Sequence, residues 1–255
     1  MLPEADILTP MQWQERDGLR WLEAELPGAR AAFSTRLGGV STGPYSSLNL
    51  AVLTGDRREA VRENRHRLAS ALGLRAEGVL IGRQVHGADI ARRDAAPVPS
   101  AYAEPGPDLP EVDGQATERP GLAPLVMVAD CLPVALAGPG GVAMIHCGWR
   151  GLAAGIVARG VEQAKATAAA IGPGIGPCCY EVGDEVLAEF DHLGDGVSEG
   201  RMLDLREVAR RLLERAGVGS VVSTDLCTSC NPELFFSHRR DGEKTGRQAG
   251  LGWTA

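Results

Sequence analysis

Three apolar runs stand almost end to end in the middle of the chain: APLVMVAD (123–130), PVALAG (133–138) and GVAMIHCG (141–148). Each is short and bounded by glycine, proline or aspartate, which reads as a buried or half-buried strand rather than a helix. AAFSTR (31–36) and GVLIGRQVH (78–86) read the same way. GDRREAVRENRHRLASALGL (55–74) carries apolar positions at helical spacing and a closing glycine, so it reads as an amphipathic helix. An Ala-rich helix is expected over 151–170, with further helices in VGDEVLAEF (182–190) and LREVARRLLERAG (205–217). Strands and helices do not alternate strictly. The expected class is therefore α+β, not a doubly wound parallel sheet.

At 255 residues the chain fits one large domain or two small ones. No internal repeat or linker divides it. The Pro-rich stretch 94–114 reads as a long surface loop, so a single domain over 1–255 is expected.

Composition removes several function classes. No apolar run approaches the roughly 20 residues of a bilayer span. The first residues, MLPEADILTPMQWQERDG, lack the basic start and apolar core of a signal peptide, so a cytoplasmic location is expected. A net charge of −7 argues against a nucleic-acid surface, although a local arginine cluster can still hold a small anion. With 4% aromatic residues there is little material for stacking bases. Six cysteines in such a chain read as thiols or ligands rather than disulfides.

The chemistry-bearing residues sit at the ends of the apolar runs. His86 follows GVLIGRQV and precedes glycine, Cys131 lies in ADCLPV, and His146 lies in MIHCGWRG. Taken singly, such a histidine is more often a hydrogen-bonded structural residue, and such a cysteine a small core residue. Together they are the donor types that hold a borderline-soft metal such as zinc. Three protein donors leave a coordination position open, as in catalytic rather than structural zinc sites. Cys147 follows His146 on the same presumed strand and would point the other way.

Cys227 and Cys230 form a lone C-T-S-C with no second CxxC after it, which reads as structural or incidental. Cys178 and Cys179 follow the glycine–proline turn IGPGIGP. Arg36 precedes a Gly-Gly turn, Arg150 follows His146, and Arg239, Arg240 and Arg247 cluster near the C-terminus beside His238. Surface arginines are usually just solvated; the turn-forming residues around Arg36 and Arg240 favour contact with an oxyanion.

STRLGGVS, SLNLA, QVHGADI, DGQAT, ADCLPVAL, IHCGWRGLAAGI, IGPGIGPCCYEVGDEV, DLCTSCNPELFFSHRRDG and TGRQA occur in this order. Together, over about 33–251, they closely resemble the purine nucleoside phosphorylase family formerly known as laccase-domain or polyphenol oxidase proteins. Bacterial members also carry the name peptidoglycan editing factor. The resemblance implies a single-domain α+β fold with mixed sheets flanked by helices. It implies zinc on His86, Cys131 and His146. It further implies phosphorolysis of adenosine, inosine, guanosine and S-methyl-5'-thioadenosine, with adenosine deamination as a second activity. A monomer or homodimer is expected.

The residues support chemistry of that kind. A three-donor zinc lowers the pKa of a bound water to about 7, and such a hydroxide attacks C6 of adenine in deaminases, where a carboxylate moves protons. Asp130 and Asp113 are the carboxylates nearest in sequence. Phosphate as nucleophile needs a cationic cradle, for which Arg36, Arg150 and Arg240 are the expected residues. Three other readings compete: a copper polyphenol oxidase, a hydrolase with Cys131 as nucleophile, and a non-enzymatic factor in cell-wall metabolism. Five histidines are too few for a multicopper trinuclear cluster beside a type 1 site.

Overall fold

In the computed structural model, which describes residues 8–105 and 109–255, the three central runs are strands β7 (Ala123–Val128), β8 (Leu132–Gly138) and β9 (Gly141–Cys147). They belong to two different sheets. One sheet contains β1 (Gln12–Arg16), β2 (Leu19–Leu26), β3 (Ala29–Ser34), β4 (Val79–Leu80) and β14 (Gln248–Thr254) beside β7, in the order β1-β2-β3-β14-β7-β4. The other contains β5 (Ile90–Arg92), β6 (Gly114–Thr117), β10 (Ala168–Ile171) and β13 (Ser220–Ser223), in the order β13-β10-β8-β9-β6-β5. Both sheets are mixed. The pairs β4–β7, β10–β13 and β5–β6 run parallel and the others antiparallel. A small hairpin, β11 (Ser198–Glu199) with β12 (Met202–Leu203), stands apart.

The two sheets face each other. Leu22, Ala31, Phe33, Val126 and Val128 of the first pack on Ala135, Ala137, Val142, Met144 and Ala170 of the second. The alternation of side chains along each strand sends the remaining residues outward. On β8 and β9, Leu132, Val134, Leu136, Ile145 and Cys147 point away from the first sheet. They are covered by α2 (Trp149–Ala153), α3 (Ile156–Ala164), α4 (Asp184–Ala188) and α5 (Leu205–Arg215). The Asp204 carboxylate caps α5 by accepting from the N–H groups of Arg206 and Glu207. On the far side, α1 (Arg58–Ala71) lays Leu68 and Ala69 over Ala32, Leu125 and Leu251. α6 (His238–Asp241) completes the helices among the described residues. The result is one domain with helices outside both sheets, the α+β class expected.

The gap between the sheets is narrow. A Cβ added at Gly250 of β14 would lie 2.6 Å from Cβ of Pro133 and 3.0 Å from Sδ of Met144. Only glycine admits this approach.

Three details depart from the sequence reading. The Ala-rich stretch 151–170 is not one helix. Gly155, at φ 85°, separates α2 from α3, Lys165 closes α3 in the left-handed region, and 168–171 becomes strand β10 between β8 and β13. In GVLIGRQVH only Val79–Leu80 is strand; Arg83 adds one isolated bridge to Glu111. The described residues of the Pro-rich stretch form no helix before β6, but they are anchored rather than superficial. Tyr102 is fully buried, donates its hydroxyl to the Arg65 carbonyl, and accepts Arg65 Nη1 on its own carbonyl.

Candidate metal centre and cleft

Cys131 lies where the chain leaves one sheet for the other. β7 ends at Val128, Ala129 and Asp130 turn, and Leu132 opens β8 opposite Cys147. Asp130 holds this crossing at φ 100°, a costly conformation for a side chain. Its two carboxylate oxygens accept the Thr228 hydroxyl at 2.7 Å and the Arg239 N–H at 2.6 Å. Those bonds fix the turn that presents Cys131.

His146 is the penultimate residue of β9 and, unlike Cys147, faces the first sheet. His86 lies not at a strand end but in a turn, at φ 62°. Asp113 makes that turn possible. Its carboxylate accepts the N–H groups of Val85 at 3.0 Å, His86 at 2.9 Å and Gly87 at 2.7 Å. The same carboxylate lies 2.8 Å from Nδ1 of His146. Asp113 is fully buried, so one carboxylate joins both histidines. With Nδ1–H donated to Asp113, His146 offers Nε2 to the centre, the carboxylate–histidine arrangement common behind metal ligands.

The donor atoms of His86, Cys131 and His146 lie within 4.8 Å of one another. The histidine rings meet edge to face, with centroids 4.9 Å apart. Burial opposes ionisation of Cys131, but the His146 charge and hydrogen bonds from both histidines outweigh it and pull the thiol down to about 6. His146 shifts the other way, to about 9; burial alone would lower it, and the Cys131 thiolate with Asp113 overcomes that. Close, deprotonation-prone donors fit a soft-to-borderline divalent metal. Gly148 keeps the space open: a Cβ there would meet Sγ of Cys131 at 3.0 Å and Cδ2 of His86 at 3.1 Å.

The three donors face a cleft of about 710 Å³. Among the described residues its charge is opposite in sign to that of the whole chain: Arg65, Arg83, Arg150, Arg239 and Arg247 line it, against Asp130 as the one acidic lining residue, although Arg65 is spent on the Leu50, Ala101 and Tyr102 carbonyls and Arg83 pairs with Glu111. The guanidinium of Arg150 lies 4.3 Å over Trp149 and makes no hydrogen bond among the described residues. Arg239 lies over Tyr180, whose phenol is pushed up to about 12 chiefly by burial. Burial also lowers Arg247.

Two arginines expected at an anion site lie elsewhere. Arg36 donates to the carbonyls of Ser46 and Pro232 and stacks on Phe236. Arg240 is tied to Asp241 and to the carbonyls of Thr228, Ser229 and Phe235. Their donors are consumed in bracing loops, and neither lines the cleft. Arg239 and Arg247 stand there instead. Asp130 does line the cleft, with one oxygen accepting from the Thr228 hydroxyl and the other from the Arg239 N–H.

Fold and site define an α+β protein in which three clustered donors, His86, Cys131 and His146, could hold a metal ion and line a cleft rich in arginine. The chain belongs to the family described as multi-copper polyphenol oxidoreductase laccase, whose model matches residues 30–255. It is 38% identical to the Geobacillus stearothermophilus protein named purine nucleoside phosphorylase YlmD, over 91% of this chain and 94% of that one. It is likewise 38% identical to purine nucleoside phosphorylase YfiH of Escherichia coli K12, over 89% of this chain and 94% of that one. The crystal structure of YlmD from Geobacillus stearothermophilus superposes with a TM-score of 0.85 at 35% identity, covering 96% of this chain and 99% of its own. No helix among the described residues is long and apolar enough to cross a membrane.

Proposed function

We propose that this chain is a zinc-dependent purine nucleoside phosphorylase acting on adenosine, inosine, guanosine and S-methyl-5'-thioadenosine, with adenosine deamination as a second activity. The observation that carries the reading is the pairing of an open His–Cys–His centre with a cleft of five arginines in a chain of net charge −7. Such a cleft draws phosphate out of solution and holds it desolvated beside a neutral nucleoside. Its volume lies within the range of small-molecule sites, about 300–1,000 Å³.

His86, Cys131 and His146 would hold the zinc, which when bound would supply a Lewis acid. Arg150, unbonded and stacked on Trp149, is the primary phosphate anchor, with Arg239 and Arg247 completing the cradle. In phosphorolysis a phosphate oxygen bonds to C1' of the ribose, the glycosidic bond breaks, and the purine leaves with its electron pair and takes up a proton. In deamination water adds at C6 and ammonia leaves. His238 lines the cleft and its ring makes no hydrogen bond among the described residues, so it is the group placed to carry a proton in either reaction. Asp113 and Asp130 keep the donors and the turn in place.

The family's name suggests copper oxidation, and a type 1 copper site also uses two histidines and a cysteine. Of the remaining histidines, His66 lies on α1, His192 donates from Nδ1 to the Glu189 carbonyl, and His238 lines the cleft. Among the described residues no histidine-rich group exists to hold a trinuclear cluster. The test is metal analysis together with product analysis on adenosine with and without phosphate. Adenine and ribose 1-phosphate should form only with phosphate, inosine without it, and Cys131→Ala should abolish metal binding at the His86–Cys131–His146 centre and both reactions. Full phosphorolysis by Cys131→Ala with no metal at that centre overturns the zinc mechanism; phosphate-independent oxidation of phenols by a copper-loaded chain overturns the reaction class.

A further inference from the structure

We propose that Cys178, Cys179, Cys227 and Cys230 form a second metal centre, a closed tetrathiolate site that binds one zinc ion and fastens the wall of the cleft. Sequence alone leaves these residues as two unrelated pairs. The fold brings them together through a parallel bridge between Gly174 and Cys227 and a hydrogen bond from Thr228 N–H to the Gly174 carbonyl. The four sulfur atoms then lie within 4.8 Å of one another. Cys178 to Cys230 is 3.5 Å and Cys179 to Cys230 is 3.4 Å. A tetrahedral site with Zn–S bonds of about 2.3 Å has sulfur–sulfur edges of about 3.8 Å, so the cluster is already near the size the ion requires.

Packing does not account for the cluster. Cys178 and Cys230 are exposed, Cys179 is half-buried, and a thiol is too weak a donor and acceptor to satisfy another. The surroundings suit thiolates. Gly176 donates its N–H to Sγ of Cys227 at 3.2 Å. The guanidinium of Arg206 approaches the same spot: a Cβ added at Gly176 would stand 3.3 Å from Sγ of Cys178 and 3.5 Å from Nη2 of Arg206. Nε of Arg206 is buried and has no hydrogen-bond partner among the described residues. Its one ion pair is to Asp225, whose side chain is fully exposed and well screened. Binding converts four thiols and Zn²⁺ into a dianionic centre with release of four protons, and Arg206, its side chain 13% exposed, is the cation that offsets part of that charge.

With all four positions filled by protein, the centre is structural. Its two loops also serve the cleft. Ile175 and Tyr180 flank the first cysteine pair on the cleft wall, and Thr228 holds the Asp130 turn beside Cys131. The inference does not depend on the reaction catalysed.

The test removes the first centre and counts what remains. A His86→Ala/Cys131→Ala chain should retain one zinc per chain after desalting, measured by inductively coupled plasma mass spectrometry. Adding Cys227→Ser and Cys230→Ser should abolish it. If that second variant does not fold, cobalt substitution of the first one decides. Thiolate-to-cobalt charge transfer with tetrahedral ligand-field bands, and an all-sulfur shell by X-ray absorption, support the site. Full thiol titration of a metal-free, folded His86→Ala/Cys131→Ala chain overturns it, as does a disulfide found within the cluster by mass spectrometry. Iron with acid-labile sulfide overturns the zinc assignment.

Discussion

Asp113→Asn probes the carboxylate on which both histidines depend. Asp113 accepts four hydrogen bonds with two oxygens: Val85 and Gly87 on one, His86 and His146 on the other. An asparagine has one oxygen and one amino group. With its oxygen toward His146, the amino group meets two backbone N–H groups. Reversed, it faces the His86 N–H and Nδ1 of His146. His146 then accepts at Nδ1 only by moving its proton to Nε2, the atom the centre needs. Either way two bonds to a charged, buried acceptor are lost, at about 1.5–3 kcal/mol each. A loss of about 3–6 kcal/mol follows, divided between folding and metal binding. Loss of such an outer partner typically weakens metal affinity about 10–100-fold. Asp113 also has a pH signature. Burial raises its pKa, but the bonds from His146, Gly87 and Val85 win and hold it below the ordinary carboxylate value. A group lowered on folding stabilises fully above its unfolded pKa and loses that contribution as pH falls through the folded one. The wild-type metal-free chain should therefore lose stability in acid below about pH 4, and the variant should lack that component. Urea unfolding of the metal-free proteins and zinc competition against a chromogenic chelator measure the two parts. A variant within about 1 kcal/mol of wild type that also binds zinc within about threefold refutes the role given to Asp113.

Gly148→Ala tests the space at the centre. Gly148 has φ −84°, which alanine adopts freely, so its new methyl acts by crowding Cys131 and His86 alone. Unfolding should move little while zinc affinity falls about tenfold, by chelator competition. Arg150→Ala should raise KM for phosphate about tenfold or more and leave phosphate-independent deamination of adenosine within about threefold, in steady-state kinetics. Equal loss of both reactions would show that Arg150 does not act through phosphate.

Some of this was legible and some was not. Cys131 and His146 stand out in sequence because each closes an apolar run beside proline or glycine, and both meet in space because β8 and β9 are antiparallel neighbours. His86 carries the same signal, but the strand end it suggests is absent: its left-handed turn depends on Asp113, a residue 27 positions away in sequence. Alanine favours helix, yet Ala168, Ala169 and Ala170 form a strand, because β8 and β13 flank them as ladder partners, with Ala168 and Ala170 facing the first sheet and Ala169 the helices. The first hairpin, β1 with β2, is polar on one strand and escapes a search for apolar alternation. Its signal is the Asp17-Gly18 pair, both residues at positive φ, a type I′ turn dipeptide. Arg239 and Arg240 are adjacent, and sequence does not say which faces the cleft. The backbone of α6 sends Arg239 there and spends Arg240 on Asp241 and three carbonyls.

Gly250 carries no functional group, yet it bears on the metal centre. It pairs with Val126 of β7, two residues before the strand's end at Val128, and it abuts Pro133, two residues after Cys131. The absence of a side chain there sets how closely the chain must fold back between Val128 and Leu132. The reach of the Cys131 thiol is thus gauged by a strand that supplies no ligand. A homologue that keeps every donor but places a bulky residue at this position would have its sheets prised apart and its cysteine displaced from the histidines. Searching such proteins for intact ligand sets alone would count it as competent when its backbone is not.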